Sequence, residues 1–307
     1  MTEPEKFTVA GEGGHEIQTQ LFVPEGTPVG VIHITHGLGE YIDRYARFAA
    51  AANARGFAVI GHDHRGHGGH GEERGYFAPK DGWRLVVDDI LKVQDAAAER
   101  FPELPITLLG HSMGSFFAQY FAMVYGGRLS ALVLSASTWP SRSLSLFGNL
   151  LARLVCFVKD PRSESAMLDS LGFGSHNKRF RPARTEYDWL SRDEAEVDKY
   201  VADPLCGGPF TAGLWRDLTS LLMRLGSDEA INRVPSDLPI LITGGSDDPV
   251  GGEDGMGELA LHFAQTSHSR IKVKIYPEGR HEMLNETNRD EVTSDWLDWI
   301  SDNARRR

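Results

Sequence analysis

A chain of 307 residues suits one large α/β domain with an insertion, or two small domains. Its 41% hydrophobic and 24% charged residues are the make-up of a water-soluble globular protein, and a net charge of −11 argues against nucleic acid as a partner and against tight adsorption to anionic lipid. The two cysteines, Cys156 and Cys206, exclude a disulfide framework and a zinc knuckle.

The first residues, Met1 to Lys6, are acidic and lack the apolar segment of a signal peptide. No apolar stretch is long enough to span a bilayer, so a cytoplasmic protein is expected. Phe7 to Ala10 and Glu16 to Val23 read as two antiparallel strands joined through a glycine-rich turn. Gly30 to Thr35 is almost uninterruptedly apolar, as in a strand buried on both faces. Arg44 to Arg55 reads as a helix with Tyr45, Phe48, Ala49 and Ala52 on one face and Gly56 as its stop. Phe57 to Gly61 is the next strand. Trp83 to Arg100 follows as a helix with Val86, Ile90, Val93 and Ala97 along its stripe, and Asp81 is placed to cap it. Pro105 to Leu109 and Leu129 to Ser135 are strands, as are Leu238 to Thr243 and Ile271 to Tyr276 much later. Arg289 to Asn303 closes the chain as a helix with Trp296 and Trp299 inward.

Strands alternate with helices, which predicts a mostly parallel, twisted sheet with helices on both faces. The interruption is a helical insertion, a lid over residues 138–234, leaving 1–137 and 235–307 as the core domain. Within it, Arg142 to Lys159 has Leu144, Phe147, Leu151, Leu154 and Val158 at helical spacing, widened by Leu146, Leu150, Val155 and Phe157. The plain reading is a lid helix packed on the body of the domain. The sharper reading is a lid whose exposed apolar side meets lipid aggregates or lines an acyl channel, and the two are compatible.

Chemistry enters at Gly110-His111-Ser112-Met113-Gly114, directly after a buried strand and before the apolar run Phe116 to Phe121. This G-x-S-x-G at a strand-to-helix turn lifts Ser112 clear of the sheet, where the free N–H groups of the following helix favour negative charge. The alternative is a glycine turn with Ser112 as an ordinary helix cap. A serine hydroxyl needs a base, and the base an orienting acid, in the chain order Ser, Asp or Glu, His. His281 lies just past the strand Ile271 to Tyr276 and is the best base; His262 and His268 lie in or near a helix and read as surface residues. The acid is Asp248 or Asp247, with Asp248 favoured because Pro249 fixes the turn after it and the other aspartate left to cap that turn. The oxyanion donors are the backbone N–H of Met113 and that of Leu38, in the loop His36-Gly37-Leu38-Gly39-Glu40. The run from His62 to His70 holds four histidines and suggests a metal site, yet no cysteine is near and it follows a strand. It reads instead as a turn whose polar groups brace the oxyanion loop, and neither metal nor cofactor is expected.

With these pieces in place, the chain resembles the monoacylglycerol lipase and lysophospholipase group of the α/β-hydrolase superfamily. The likeness rests on His36 to Glu40, Asp63 to Gly68, Gly110 to Gly114, Gly245 to Asp248 and Gly279 to Glu282. In the lid it rests on Leu190 to Asp193, Glu196 to Tyr200 and Asp203 to Leu205. It implies the α/β-hydrolase fold, Ser112 as nucleophile, Asp248 as acid, His281 as base, Leu38 and Met113 as oxyanion donors, and a lid that shapes an apolar tunnel for one acyl chain. Two departures stand out. Val250-Gly251-Gly252 replaces the cysteine that animal members carry after the acid, so thiol sensitivity there is not expected. The stretch from Gly172 to Asp188 is longer and more basic than in the animal lids.

The expected function is a serine carboxylester hydrolase that removes a single acyl chain from a small lipid ester through an acyl-enzyme intermediate. Monoacylglycerol is the first choice of substrate. A lysophospholipid, helped by Lys178, Arg179, Arg181 and Arg184, or a general carboxylic ester comes second. A prolyl aminopeptidase-type peptidase would need a carboxylate cluster for the substrate amine, for which Glu186, Asp188, Asp193, Glu194 and Glu196 are candidates. A non-catalytic ligand receptor on the same fold would usually have lost the acid or the histidine. The sequence carries no signal of oligomeric state.

Overall fold

Residues 3–69, 74–266 and 268–304 are described in a computed structural model; Met1, Thr2 and His70 lie outside the described residues. In chain order the elements are β1 (Glu5–Ala10), β2 (Glu16–Phe22), β3 (Gly30–Thr35), α1 (Ala46–Ala54), β4 (Phe57–His62) and α2 (Gly82–Arg100). Next come β5 (Ile106–His111), α3 (Met113–Tyr125) and β6 (Ala131–Ser135). The insertion contributes α4 (Arg142–Val158), α5 (Ala166–Phe173), α6 (Glu194–Ala202), α7 (Ala212–Leu225) and the single turn α8 (Asp228–Ile231). The chain returns through β7 (Ile240–Gly245), α9 (Gly252–Gln265), β8 (Ile271–Tyr276) and α10 (Arg289–Asn303).

The eight strands form one sheet in the order β1-β2-β4-β3-β5-β6-β7-β8. Only β2 runs against its neighbours; β4, β3, β5, β6, β7 and β8 are parallel. The apolar strands are buried on both faces, and alternate residues feed two cores. Leu108, Leu132, Ile240 and Ile242 pack with Trp83, Phe117, Phe121 and Phe263 from α2, α3 and α9. Leu109, Val133 and Leu241 pack on the other face with Phe48, Trp296 and Ile300 from α1 and α10. Each such side chain contributes about 1.5–3 kcal/mol by leaving water. This is the α/β-hydrolase fold with a helical insertion between β6 and β7.

Three local expectations are corrected. The segment read as a helix from Arg44 begins with a 3₁₀ turn at Ile42–Tyr45, and the α-helix starts at Ala46. Asp81 makes no side-chain cap and sits at φ 49°. The Gly82 N–H donates instead to Asp217 Oδ2 of α7 at 3.0 Å, so the insertion caps a core helix. His268 is buried rather than on the surface, with Nε2 3.0 Å from the Val234 carbonyl.

The packing of α4 agrees with both of its readings. Its buried residues are Ser145, Asn149 and Ala152. Asn149 Nδ2 donates to the Arg216 carbonyl at 2.9 Å and to Ser220 Oγ at 2.8 Å on α7. The small and polar residues thus face the protein together with Leu151 and Val155, and the rest of the apolar side faces out: Phe157 is 88% exposed, Leu144 70% and Phe147 61%.

Candidate active site

The strand β5 delivers Gly110 and His111 into register with Thr35 of β3 and with Leu134 and Ser135 of β6. The chain then reverses into α3, and Ser112 adopts φ 51°, ψ −120° at the corner. Left-handed backbone is strained for a residue with a Cβ, and it is held here because the neighbours leave no alternative. The Ser112 N–H donates to the Ser135 carbonyl at 2.9 Å. A Cβ on Gly110 would lie 2.6 Å from the Gly114 carbonyl oxygen and 2.7 Å from Ser115 Cα, so the elbow requires glycine there. Ser112 makes no side-chain cap to α3, which removes the reading as an ordinary helix cap.

The loop after β7 carries Asp248 and that after β8 carries His281, both buried. His281 Nδ1 and Asp248 Oδ1 are 2.8 Å apart. Asp248 also accepts from the Val250 N–H at 2.9 Å. Asp247, by contrast, pairs with Arg179 at 2.8 Å on the surface, so of the two aspartates Asp248 is the one on the histidine. Burial opposes the charge on Asp248, yet His281 and the hydrogen bonds hold its carboxyl below the usual range. Burial likewise works to discharge His281, but Asp248, helped by Glu282 and Glu40, raises its pKa above the ordinary 6.5. Two other imidazoles border the site, and burial drives each down to about 4. These are His111, whose ring centroid is 4.9 Å from that of His281, and His176, which packs on Trp189. Of the three rings, His281 is the one whose pKa is raised and not lowered by its surroundings.

Ser112 and His281 line one cavity of about 780 Å³, at the upper end of the usual range for small-molecule sites. Leu38 lies on its wall, and Met113 opens α3 beside it. The insertion supplies the facing wall with Phe173, Trp189, Leu190 and Phe210, and with the polar Asp169, Arg181 and Glu186.

The run after β4 packs against the loop from His36 to Glu40. The His64 N–H donates to His36 Nε2 at 2.9 Å, and the His36 and His64 rings lie 4.2 Å apart. Asp63 Oδ1 accepts from the Ile42 N–H at 2.8 Å. Arg65 forks onto Asp89 of α2 at 2.7 and 3.0 Å. Among the described residues, no group of three or more His, Cys, Asp or Glu is arranged to hold a metal ion.

Of the lid residues read for head-group recognition, Arg179 and Arg184 are spoken for by carboxylates (Asp247 for the first, Asp198 and Glu194 for the second). Arg181 alone of the four lines the cavity. Of the carboxylates considered for an amine site, Asp188 caps the turn at Thr185, Asp193 caps α6 and pairs with Arg289, and Glu196 pairs with Arg47 and Lys199. Glu186 alone of these reaches the cavity wall. Sequence reasoning missed Arg44, which was read only as the start of a helix. It forks onto Glu282 at 2.6 and 2.7 Å and reaches Glu40 at 3.0 Å. The one signal was the pair of glutamates, Glu40 and Glu282, each directly following a stretch singled out from the sequence.

The family described as serine aminopeptidase, S33, matches residues 26–288. The chain belongs to that family of α/β-hydrolases. It is 30% identical over 299 residues to a monoacylglycerol lipase of Mycolicibacterium smegmatis, covering 96% of each chain. It is 29% identical over 296 residues to a monoglyceride lipase of Mus musculus, covering 94% of this chain and 88% of the mouse protein. Among solved structures, a thermostable carboxyl esterase from Bacillus coagulans in complex with glycerol superposes with a TM-score of 0.91 at 25% identity. That match covers 99% of this chain and all of the esterase. These likenesses make the chain a serine-type hydrolase of the lipase and esterase clan.

Proposed function

We propose that this hydrolase cleaves monoacylglycerol, with Ser112 as nucleophile, His281 as base and Asp248 as the orienting acid. The observation that carries the reading is Ser112, strained at its elbow, on the wall of the same cavity as a histidine whose Nδ1 is held by a buried aspartate. Asp248 occupies Nδ1, which leaves Nε2 for the serine hydroxyl. Ser112 Oγ attacks the acyl carbon while His281 takes its proton. The N–H groups of Leu38 and Met113 stabilise the oxyanion. His281 then protonates the departing glycerol oxygen, and water, activated by the same ring, releases the fatty acid.

Residues 138–234 act as the lid. The aromatic and aliphatic side chains it places in the cavity suit an acyl chain, and the polar ones suit the alcohol. The outward apolar face of α4 supports transient contact with lipid aggregates, from which a poorly soluble substrate is drawn. Among the described residues no helix is long and apolar enough to cross a membrane. Arg181 on the cavity wall favours a lysophospholipid as the second reading, through its phosphate.

The test is labelling with a fluorophosphonate, followed by hydrolysis of monoacylglycerol, lysophosphatidylcholine and a proline aminoacyl amide. Labelling lost in Ser112→Ala, with monoacylglycerol the fastest substrate, is the expected result. Labelling that persists in Ser112→Ala refutes the assignment of the nucleophile, and preference for the amide refutes the lipid reading.

A further inference from the structure

We propose that Arg44 is a positioning residue that locks the oxyanion loop to the histidine loop and sets the net charge behind His281. The inference rests on the Ser112, His281 and Asp248 reading above and extends it to Arg44, which does not line the cavity, through two glutamates that do.

Arg44 lies in the 3₁₀ turn that follows the oxyanion loop, and its side chain is only 12% exposed. One edge of its guanidinium grips Glu282, the residue after His281, through two hydrogen bonds of 2.6 and 2.7 Å. The same Nη1 reaches Glu40 at 3.0 Å. Glu40 is itself part of the oxyanion loop, because its Oε1 accepts from the Gly37 N–H at 2.5 Å and from the Tyr45 hydroxyl at 2.8 Å. The residue between Gly37 and Gly39 is Leu38, so this carboxylate fixes the turn that presents the Leu38 N–H. On the other side Glu282 accepts from Asn285 Nδ2 at 2.9 Å, and its N–H donates to the Leu190 carbonyl of the insertion at 2.8 Å. A single cation thus joins two loops separated by 238 residues. The insertion closes the cluster from above: the Tyr200 ring lies 4.9 Å from the Arg44 guanidinium, and its hydroxyl donates to the Gly39 carbonyl at 2.9 Å.

The cluster has a formal charge of −1, from Glu40, Glu282 and Arg44, whose side chains are 5%, 7% and 12% exposed. The titratable groups that face His281 are Asp248 from the loop after β7, His111 from the end of β5, His176 from the insertion, and Glu282 and Glu40 themselves. Burial discourages ionisation of Arg44, but Glu282 and Glu40 hold it firmly charged. Without that charge the cluster becomes −2, the imidazolium is over-stabilised, and His281 is a base only at higher pH.

The test uses the pH dependence of kcat/KM on p-nitrophenyl butyrate. Arg44→Gln is expected to move the acid limb to higher pH, and Glu282→Gln to lower pH, each on the order of one unit. The double variant Arg44→Gln/Glu282→Gln restores the −1 charge and is expected to bring the limb back near its original position. Arg44→Lys keeps the charge but loses the two-pronged grip. It is expected to leave the limb in place and lower kcat about tenfold with KM little changed. A merely structural role would lower activity without opposite displacements. If Arg44→Gln does not fold, Glu282→Gln and Arg44→Lys carry the test. Limbs that stay put, or move the same way, in an enzyme that labels at Ser112 overturn the Arg44 proposal alone. A wild type that does not label at Ser112 overturns the hydrolase reading and this inference with it.

Discussion

Replacing Gly114 by alanine puts the close approach of α3 to the oxyanion loop to a direct test. The new Cβ would overlap the Thr35 carbonyl oxygen and lie 2.5 Å from that of His36 and 2.6 Å from the Thr35 carbonyl carbon. All three are backbone atoms. Thr35 is paired in the sheet with Gly110, and its hydroxyl donates to the Gly114 carbonyl at 3.1 Å. Neither partner can swing aside as a side chain would. An ordinary contact with the Thr35 oxygen is restored only if the start of α3 and the end of β3 part by about 1.4 Å, since non-bonded atoms sit near 3.5 Å. That movement separates the Met113 N–H from the Leu38 N–H, the two donors proposed to converge on one oxygen. A misplacement of this size costs about 100-fold in rate, and an overpacked core about 1–3 kcal/mol. We expect kcat/KM on a p-nitrophenyl ester to fall about 100-fold and urea unfolding to register a loss in that range. The control is Gly257→Ala, in the middle of α9, where a Cβ meets nothing within 4 Å. It should stabilise the protein by about 0.5–1 kcal/mol with kcat/KM unchanged. Wild-type kinetics and stability in Gly114→Ala would refute the idea that this approach sets the oxyanion geometry.

Three further outcomes are expected. Asp248→Asn should lower kcat by about 10⁴-fold by leaving His281 in the wrong tautomer, whereas Asp247→Asn, which loses a surface pair with Arg179, should change it little; equal effects would overturn the choice of acid. Acid should unfold the protein early. Burial holds His33 down to about 3 and His62 and His64 well below their ordinary 6.5, so their stabilisation is complete above about 6.5 and lost as pH falls below it. The loss is about 1.4 kcal/mol per pH unit for each ring, roughly 4 for the three; a urea midpoint unchanged between pH 7.5 and 5.5 would contradict this. Phe147→Ser/Phe157→Ser should leave hydrolysis of a soluble ester unchanged and slow hydrolysis of vesicle-borne monoacylglycerol several-fold, because both rings face solvent on α4. Equal rates on vesicles would remove the lipid-contact role.

What the sequence determined by itself was whatever a local pattern encodes. Runs buried on both faces marked β3 to β7 within a few residues, because a strand's environment is written in its own side chains. The elbow was legible because Gly110 and Gly114 are required by contacts only a few residues away or just across one strand pair. His281 and Asp248 were legible because the loops at strand ends are where such groups must lie. What only the tertiary structure decided was which distant groups meet. The sequence of α4 shows a wide apolar stripe but not which side is covered; Asn149 bonding to α7 turned that stripe outward. Asp81 stood in a good capping position, yet Asp217, 135 residues away, took the Gly82 N–H. Arg44 looked like any arginine at a helix start until the fold brought Glu282 to it. No periodicity or spacing reports a partner 238 residues off, since that pairing is set by the order of strands in the sheet and not by the chain near either end.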